Sequence, residues 1–400
     1  MSSSGGRLTL WAAFAAWVIC AAAPAAPRAA APDTKPPAKL KAYPSRYYVI
    51  YTDLEGDAVR EAEIRMTAMA EEYHRRTSSF AGVIRSRLAL CLFRREADYQ
   101  AAGGLPGSAG MYNSGRRMLL AVARTGADER LWHVVQHEGF HQFVHMVIGG
   151  RMPVWANEGM AEYFGQAIWT GDGFVTAVVP PSRLKRVQGY IRDKKLVDFL
   201  EMLLVNGQEW QKAVTAGQAQ VYYDQAWSMV HFLVFGEDGR YRGAFEQFIR
   251  DISRGADWKA AFQVRLGRNV QAFQKRYEDW WAAQKSDLTE DLYVKAVVQT
   301  LTSFLARAVS QGQQFASAEE FFQAARAGEL KAHPAQWLPR SLLERSLLRA
   351  ERLRTWFVQK EGTQVRLVLK QPGGPTFTGT FAHSGGRAVR VNVTIAPEGK

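Results

Sequence analysis

The chain has 400 residues, 47% of them hydrophobic, with 12 Trp, 14 Tyr and 21 Phe. That apolar content excludes a disordered polymer, and the length allows two or three structural units. The net charge is +13, but the basic residues are scattered and no nucleic-acid-binding motif accompanies them. The charge therefore reads as a solvated basic surface, and no nucleic-acid partner is expected.

At the N-terminus, Arg7 precedes an Ala-rich apolar run from Leu8 to Ala26, and small residues crowd Ala21 to Ala31. Residues 1–31 read as a secretory signal peptide, with an uncleaved membrane anchor as the alternative. Its removal would take Arg7 and Arg28 and lower the net charge from +13 to +11. Cys20 follows Ile19, which is larger than a lipidation site wants. Residues 32–44 hold four prolines and read as an extended linker. No later run is apolar and long enough to span a bilayer. The mature protein is therefore expected in a secreted, periplasmic or cell-envelope location, without stable membrane insertion. Its remaining cysteine, Cys91, lies in an apolar run and reads as a buried hydrophobe outside any disulfide.

Tyr47 to Thr52 is β-branched and aromatic and predicts a strand. Asp57 to His74 has Val59, Ile64, Met66 and Met69 at helical spacing. Arg87 to Phe93 and Arg117 to Ala123 predict further strands, with the glycine-rich stretch from Gly103 to Gly115 as loop. Asp128 can cap a helix running to Ile148, where Gly149 and Gly150 stop it. A second helix starts at Met152-Pro153 and runs to about Ile168. Residues 183–285 are almost entirely helical in pattern, as are residues 291–352. Val365, Leu367 and Leu369, then Val389, Val391, Val393 and Ile395, alternate with polar residues and predict a small β element. Strands first and helices after suggest an α+β fold. The composition shift after Lys285 places an expected boundary there, giving a catalytic unit over residues 45–285 and a helical-plus-β region over 286–400.

The helix at 128–148 contains His137-Glu138-Gly139-Phe140-His141. Two histidines four apart project from one helix face and can converge on one ion, with Glu138 placed to take a proton from water at the metal. With 8 His and 23 Glu in 400 residues, chance would give such a triple roughly 0.01 times. Catalytic zinc takes three protein ligands and keeps one position open. Glu158, in Trp155-Ala156-Asn157-Glu158-Gly159-Met160-Ala161-Glu162-Tyr163, supplies a third if a tight turn at Gly149 to Pro153 folds the second helix back. Glu162 lies on the same face four residues on, placed to accept the N–H of a ligating imidazole. The alternative for Glu162 is a surface carboxylate. His133 and His145 rotate away from the ion by about 40° for each step of four, and read as wall or surface residues.

These two segments resemble the gluzincin peptidases, the group of thermolysin and the leukotriene-hydrolase-like aminopeptidases. They most closely resemble a bacterial peptidase-like family known as domain of unknown function 1570. The resemblance spans roughly residues 47–281. It implies a zincin catalytic domain, with an N-terminal mixed-sheet lobe and a mainly helical C-terminal lobe, and Glu158 as the third zinc ligand. Tyr222-Tyr223-Asp224 resembles the segment in which aminopeptidase-type gluzincins carry an oxyanion-stabilising tyrosine. That implies the role for Tyr223, while Tyr222 reads as a packing anchor. Ala109-Gly110-Met111-Tyr112-Asn113 faintly resembles the aminopeptidase Gly-Ala-Met-Glu-Asn segment. Tyr112 stands where those enzymes place the Glu that binds a free amine, which speaks against aminopeptidase activity. Val144 and Val147 exclude the metzincin pattern, which needs Gly and His there.

The expected function is a metallohydrolase with one Zn2+ per chain, acting on a peptide or protein, with Glu138 as general base and Tyr223 as oxyanion donor. The strand Arg117 to Ala123, read as an edge, could pair with an extended peptide. The alternatives are a zinc amidohydrolase acting on an envelope component, and a binding protein that keeps the fold without turnover.

Overall fold

The computed structural model describes residues 36–37, 39–123, 129–149, 152–384 and 388–397. The expected signal peptide, Asp128 and Gly150 lie outside these residues. Among the described residues, no helix is long and apolar enough to cross a membrane.

The short runs near the N-terminus pair into one mixed sheet. Its strands are β1 (Lys41–Pro44), β2 (Tyr48–Thr52), β3 (Leu88–Phe93), β4 (Gly110–Asn113) and β5 (Met118–Val122), in the order β1-β2-β3-β5-β4. The central strands β2, β3 and β5 run parallel, and β1 and β4 add antiparallel edges. Parallel strands need both faces covered, which is why β3 and β5 read as continuous apolar runs. Helix α1 (Asp57–Thr77) and helix α3 (Glu129–Phe143) cover one face, burying Met66, Trp132 and Val135 against Ile50, Leu90 and Leu119. The short α2 (Glu96–Ala101) covers the other, with Tyr99 against Cys91, Leu120 and Val122. Cys91 is buried and unpaired, and burial pushes its thiol up to about 12.

Two expectations change here. Residues 41–44 form a strand on β2 rather than the end of a linker. Residues 110–113, read as loop, form β4, so β5 is an inner strand and β4 is the edge. Four residues are too few to show alternation, and the flanking glycines mask the strand.

The helical body follows. Helix α3 widens into a π-helical turn over Val144–Ile148 and stops at Gly149, whose φ of 100° suits glycine. Helix α4 (Val154–Gly165) ends earlier than expected, before a hairpin of β6 (Ile168–Trp169) and β7 (Phe174–Val175). Then come α5 (Pro181–Arg192), α6 (Phe199–Leu204), α7 (Gly207–Ala213), α8 (Ala219–Gly239), α9 (Arg242–Ser253), α10 (Trp258–Leu266) and α11 (Val270–Ala282). Their starts are marked chemically. Asn206 and Glu209 form a reciprocal capping box, and Asp198, Asp257 and Asn269 accept backbone N–H groups. Helix α4 lies so close to α8 that a Cβ on Gly159 would fall 2.7 Å from Val230 Cγ2 and nearer still to the carbonyl oxygen of Ala226.

Helices α12 (Glu290–Ser310), α13 (Ala318–Ala327) and α14 (Arg340–Ala350) precede a four-stranded antiparallel sheet. Its strands are β8 (Trp356–Glu361), β9 (Gln364–Lys370), β10 (Thr376–Ser384) and β11 (Ala388–Ala396). The period-two alternation is explained by one face packing Leu369, Phe377 and Val393 on Val294 and Val298 of α12. The architecture is α+β, with sheets at the two ends and helices between.

The main core continues past residue 285. Val297, Leu301, Phe304 and Leu305 of α12 belong to the same buried cluster as Trp155, Trp227 and Trp281. Arg307 also reaches Asp172 at 2.6 Å, and Arg345 reaches Glu129 at 2.8 Å. Loss of each large buried side chain typically costs about 2–5 kcal/mol, so removing four approaches or exceeds the net stability of a domain. A chain ending at Lys285 should therefore lose its cooperative thermal transition. A sharp melt near the full-length value would show that the first 285 residues fold alone.

Candidate metal centre

Helix α3 is fixed from both sides before it presents its functional face. Gln136 donates to the carbonyls of Phe164, Gly165 and Ala167, tying α3 to the end of α4. Gln142 donates to the carbonyls of Ala89 and Arg117, tying it to the sheet. Tyr73 of α1 donates to the carbonyl of Gln136. Between these anchors His137, Glu138 and His141 are buried along one stretch of the helix. The π-turn and Gly149 reverse the chain so that α4 brings Glu158 against the two imidazoles.

The three donor atoms form a near-regular triangle. His137 Nε2 lies 3.1 Å from His141 Nε2, and each lies 3.5 Å from Glu158 Oε2. They form the one such group of His, Cys, Asp and Glu found among the described residues that could hold a metal ion. Four ligands placed tetrahedrally at about 2.0–2.1 Å from an ion are separated by about 3.3–3.4 Å, which these spacings match. Glu158 Oε2 is buried and accepts no hydrogen bond, as a carboxylate oxygen reserved for a cation would.

The far side of each imidazole is held. His141 Nδ1 meets Asn157 Oδ1 at 3.1 Å, and His137 Nδ1 meets Glu162 Oε1 at 3.2 Å. Acceptors on Nδ1 put the proton there and leave the Nε2 lone pairs facing each other. Beyond Glu162 runs a set of charges that sequence reasoning missed. Arg183 of α5 bonds Glu162 Oε2 at 2.6 Å and Asp224 Oδ1 at 2.7 Å, over the ring of Trp227. Arg186 bonds the other Asp224 oxygen at 2.6 Å. The available signals were Arg183 on the buried stripe of Leu184 and Val187, and Asp224 at the start of an apolar helix. A buried charge needs a partner.

These contacts set the charge states. Burial opposes a proton on His137, but the neighbouring carboxylates of Glu158 and Glu162 raise it to about 10. Burial likewise opposes a charge on His141, and the charge of Glu158 raises it. Burial works against ionising Glu158, yet the two imidazoles bring it down to about 2. Glu162 is held well below the carboxylate range, against burial, by Arg183 and His137. Glu138 moves the other way. Burial raises it despite the pull of His137 and His141. Its Oε2 accepts the Tyr112 N–H at 2.8 Å, and its Oε1 is buried with no hydrogen-bond partner.

The structure places the remaining predicted residues around this centre. Tyr223 of α8 has its ring 6.2 Å from that of His137, and burial, with the charge of Glu158, raises its hydroxyl well above its ordinary value. Tyr222 packs edge-on against Trp210, in the apolar body. His145 lies on the π-turn and meets the Tyr112 hydroxyl at 2.7 Å, while His133 meets the carbonyl of Gly165 at 2.8 Å.

No curated protein and no solved structure matches the chain. Residues 133–259 match a family described as a protein of unknown function (DUF1570), an interval that carries every residue of the centre from His137 to Asp224.

Proposed function

We propose that the chain is an exported zinc-dependent hydrolase, of the gluzincin type and zincin fold, that cleaves peptide bonds. The observation that carries the reading is the buried triangle of His137, His141 and Glu158, with the unligated carboxylate of Glu138 beside it. Two imidazoles and one carboxylate at tetrahedral spacing, leaving a fourth position open, are the donor set of catalytic zinc. Bound zinc would lower the pKa of water to about 7 and polarise the scissile carbonyl.

The chain's own residues do the rest. The Tyr112 N–H holds one oxygen of Glu138, leaving Oε1 to take a proton from the attacking water and deliver it to the leaving amine. A raised pKa suits an acid and base that must both accept and return that proton. Asn157 and Glu162 orient the imidazoles. Tyr223 donates to the oxyanion. The edge that would pair with an extended peptide is β4, not β5. Export rests on the apolar leader in the sequence.

A screen of the purified mature protein on mixed peptide libraries, with and without chelator, tests the proposal. Chelator-sensitive cleavage is expected. Turnover of envelope amides without peptide cleavage would favour the amidohydrolase reading, and metal binding without any turnover would favour a binding protein.

Tyr223→Phe separates oxyanion stabilisation from metal binding. Losing a donor used only in the transition state lowers kcat by about 10²–10³ and leaves KM nearly unchanged. Zinc content should not move, and Tyr222→Phe should do little. A rate loss confined to the Tyr222 variant would shift the assignment by one residue.

A further inference from the structure

A cavity lies away from the metal centre. It has a volume of about 540 Å³, and none of the metal-ligating residues lines it. That volume is in the range of small-molecule sites. Its apolar lining includes Phe174, Phe235, Trp280 and Leu292. Its charged lining is all basic: Arg75, Arg76 and Lys295, with no Asp or Glu. Both arginines pair with Glu72 behind them. Lys295 has no ion pair among the described residues.

Two features mark this as a built site rather than a packing gap. His231 of α8 lines the cavity, is only 3% exposed, and has a buried Nδ1 with no hydrogen-bond partner. Its Nε2 faces the carbonyl oxygen of Ala177 at 3.4 Å, so Nε2 carries the hydrogen and Nδ1 is an unused acceptor. Burial lowers this imidazole to about 4, which keeps it neutral. An unpaired buried acceptor costs about 1–3 kcal/mol unless something donates to it. Ala177 itself, also in the lining, holds a φ of 69°. Left-handed backbone at a residue with a Cβ is strained and gathers at functional sites.

We propose that this cavity binds a small organic anion with an apolar or aromatic body, its anionic group paired with Lys295 and a hydrogen-bond donor at His231 Nδ1. The lining supplies apolar surface and a net positive charge, with one neutral acceptor buried at His231. A cation of the same shape meets three basic side chains and is rejected.

Indole-3-acetate carries an aromatic body, an N–H donor and a carboxylate, and tryptamine has a similar body with the opposite charge. Titration calorimetry of the full mature chain should give a Kd for indole-3-acetate below about 1 mM and no binding of tryptamine. Lys295→Met and His231→Phe should each weaken indole-3-acetate about tenfold or more, since hydrogen bonds to charged or buried partners are worth that much. Melting temperatures confirm that both variants are folded. No binding, equal binding of tryptamine, or binding unchanged in either folded variant would overturn the proposal. The measurement does not depend on hydrolytic activity, so it stands or fails apart from the reading of the metal centre.

Discussion

The Glu138→Gln variant should load zinc like the unaltered protein and lose about 10²–10⁴-fold in peptide hydrolysis, the span that positioned acid–base catalysis supplies. The amide keeps the shape of the side chain, and its oxygen can still accept the Tyr112 N–H that now binds Oε2. What disappears is the proton acceptor at Oε1. Glu138 is not part of the ligand triangle, so the spacing of His137, His141 and Glu158 survives. Metal analysis and a rate on the same preparation decide the matter. Loss of zinc would make Glu138 a ligand, and near-normal rates would place the base elsewhere.

His137→Ala, His141→Ala and Glu158→Ala should each remove most of the metal, and charge makes this a matter of stability as well as affinity. Glu138, Glu158 and Asp224 are buried and Glu162 nearly so, and they are met by the buried guanidinium of Arg183 and the half-exposed one of Arg186. The difference of two negative charges is what a divalent cation cancels, and buried charge without a partner is costly. Without the ion, protons on His137 and His141 do that work, since both are raised. A histidine raised to about 10 stabilises the fold fully below its unfolded value near 6.5 and loses that contribution as pH rises towards 10. The melting temperature of the metal-free protein should therefore fall between these limits, while the zinc-loaded protein keeps its own. Calorimetry of both forms across that range checks this, and a gap that stays constant with pH would refute it. Glu162→Gln should be milder, weakening zinc about 10–100-fold, as expected for a residue that orients a ligand.

The part of the centre that was legible in the sequence is the part written in helical period. His137 and His141 share a face because they are four apart, and so do Glu158 and Glu162, each pair on one helix. The turn that joins those helices was inferred from glycine and proline, but its π-helical form was not. Arg183 and Asp224 escaped notice because Arg183 of α5 reaches Glu162 of α4 and Asp224 of α8 only in the folded chain, and no spacing rule links residues so far apart. The Tyr112 N–H escaped for another reason. A backbone donor leaves no mark in the side-chain sequence, and the strand that carries it is only four residues long. In the fold, alternation revealed the C-terminal sheet, since one of its faces is apolar. The shift in composition after Lys285 drew a boundary that the buried residues of α12 do not respect.

The close approach of α4 to α8 limits how this protein could be made more robust. Replacing a helical glycine with alanine usually gains about 1 kcal/mol, because it removes backbone freedom from the unfolded chain. At Gly159 the added methyl would strike the Ala226 carbonyl and force the helices apart, and with them Glu158 on one side and Tyr223 on the other. Gly139, inside the histidine motif, is barred in the same way by the Tyr73 hydroxyl, which would lie 2.9 Å from a new Cβ. Gly243 in α9 meets nothing within 4 Å and can take the methyl freely. Room for thermal hardening thus lies in the outer helices. The two glycines beside Glu138 and Glu158 are closed to it, because there the missing side chain is the spacer that lets the neighbouring elements approach.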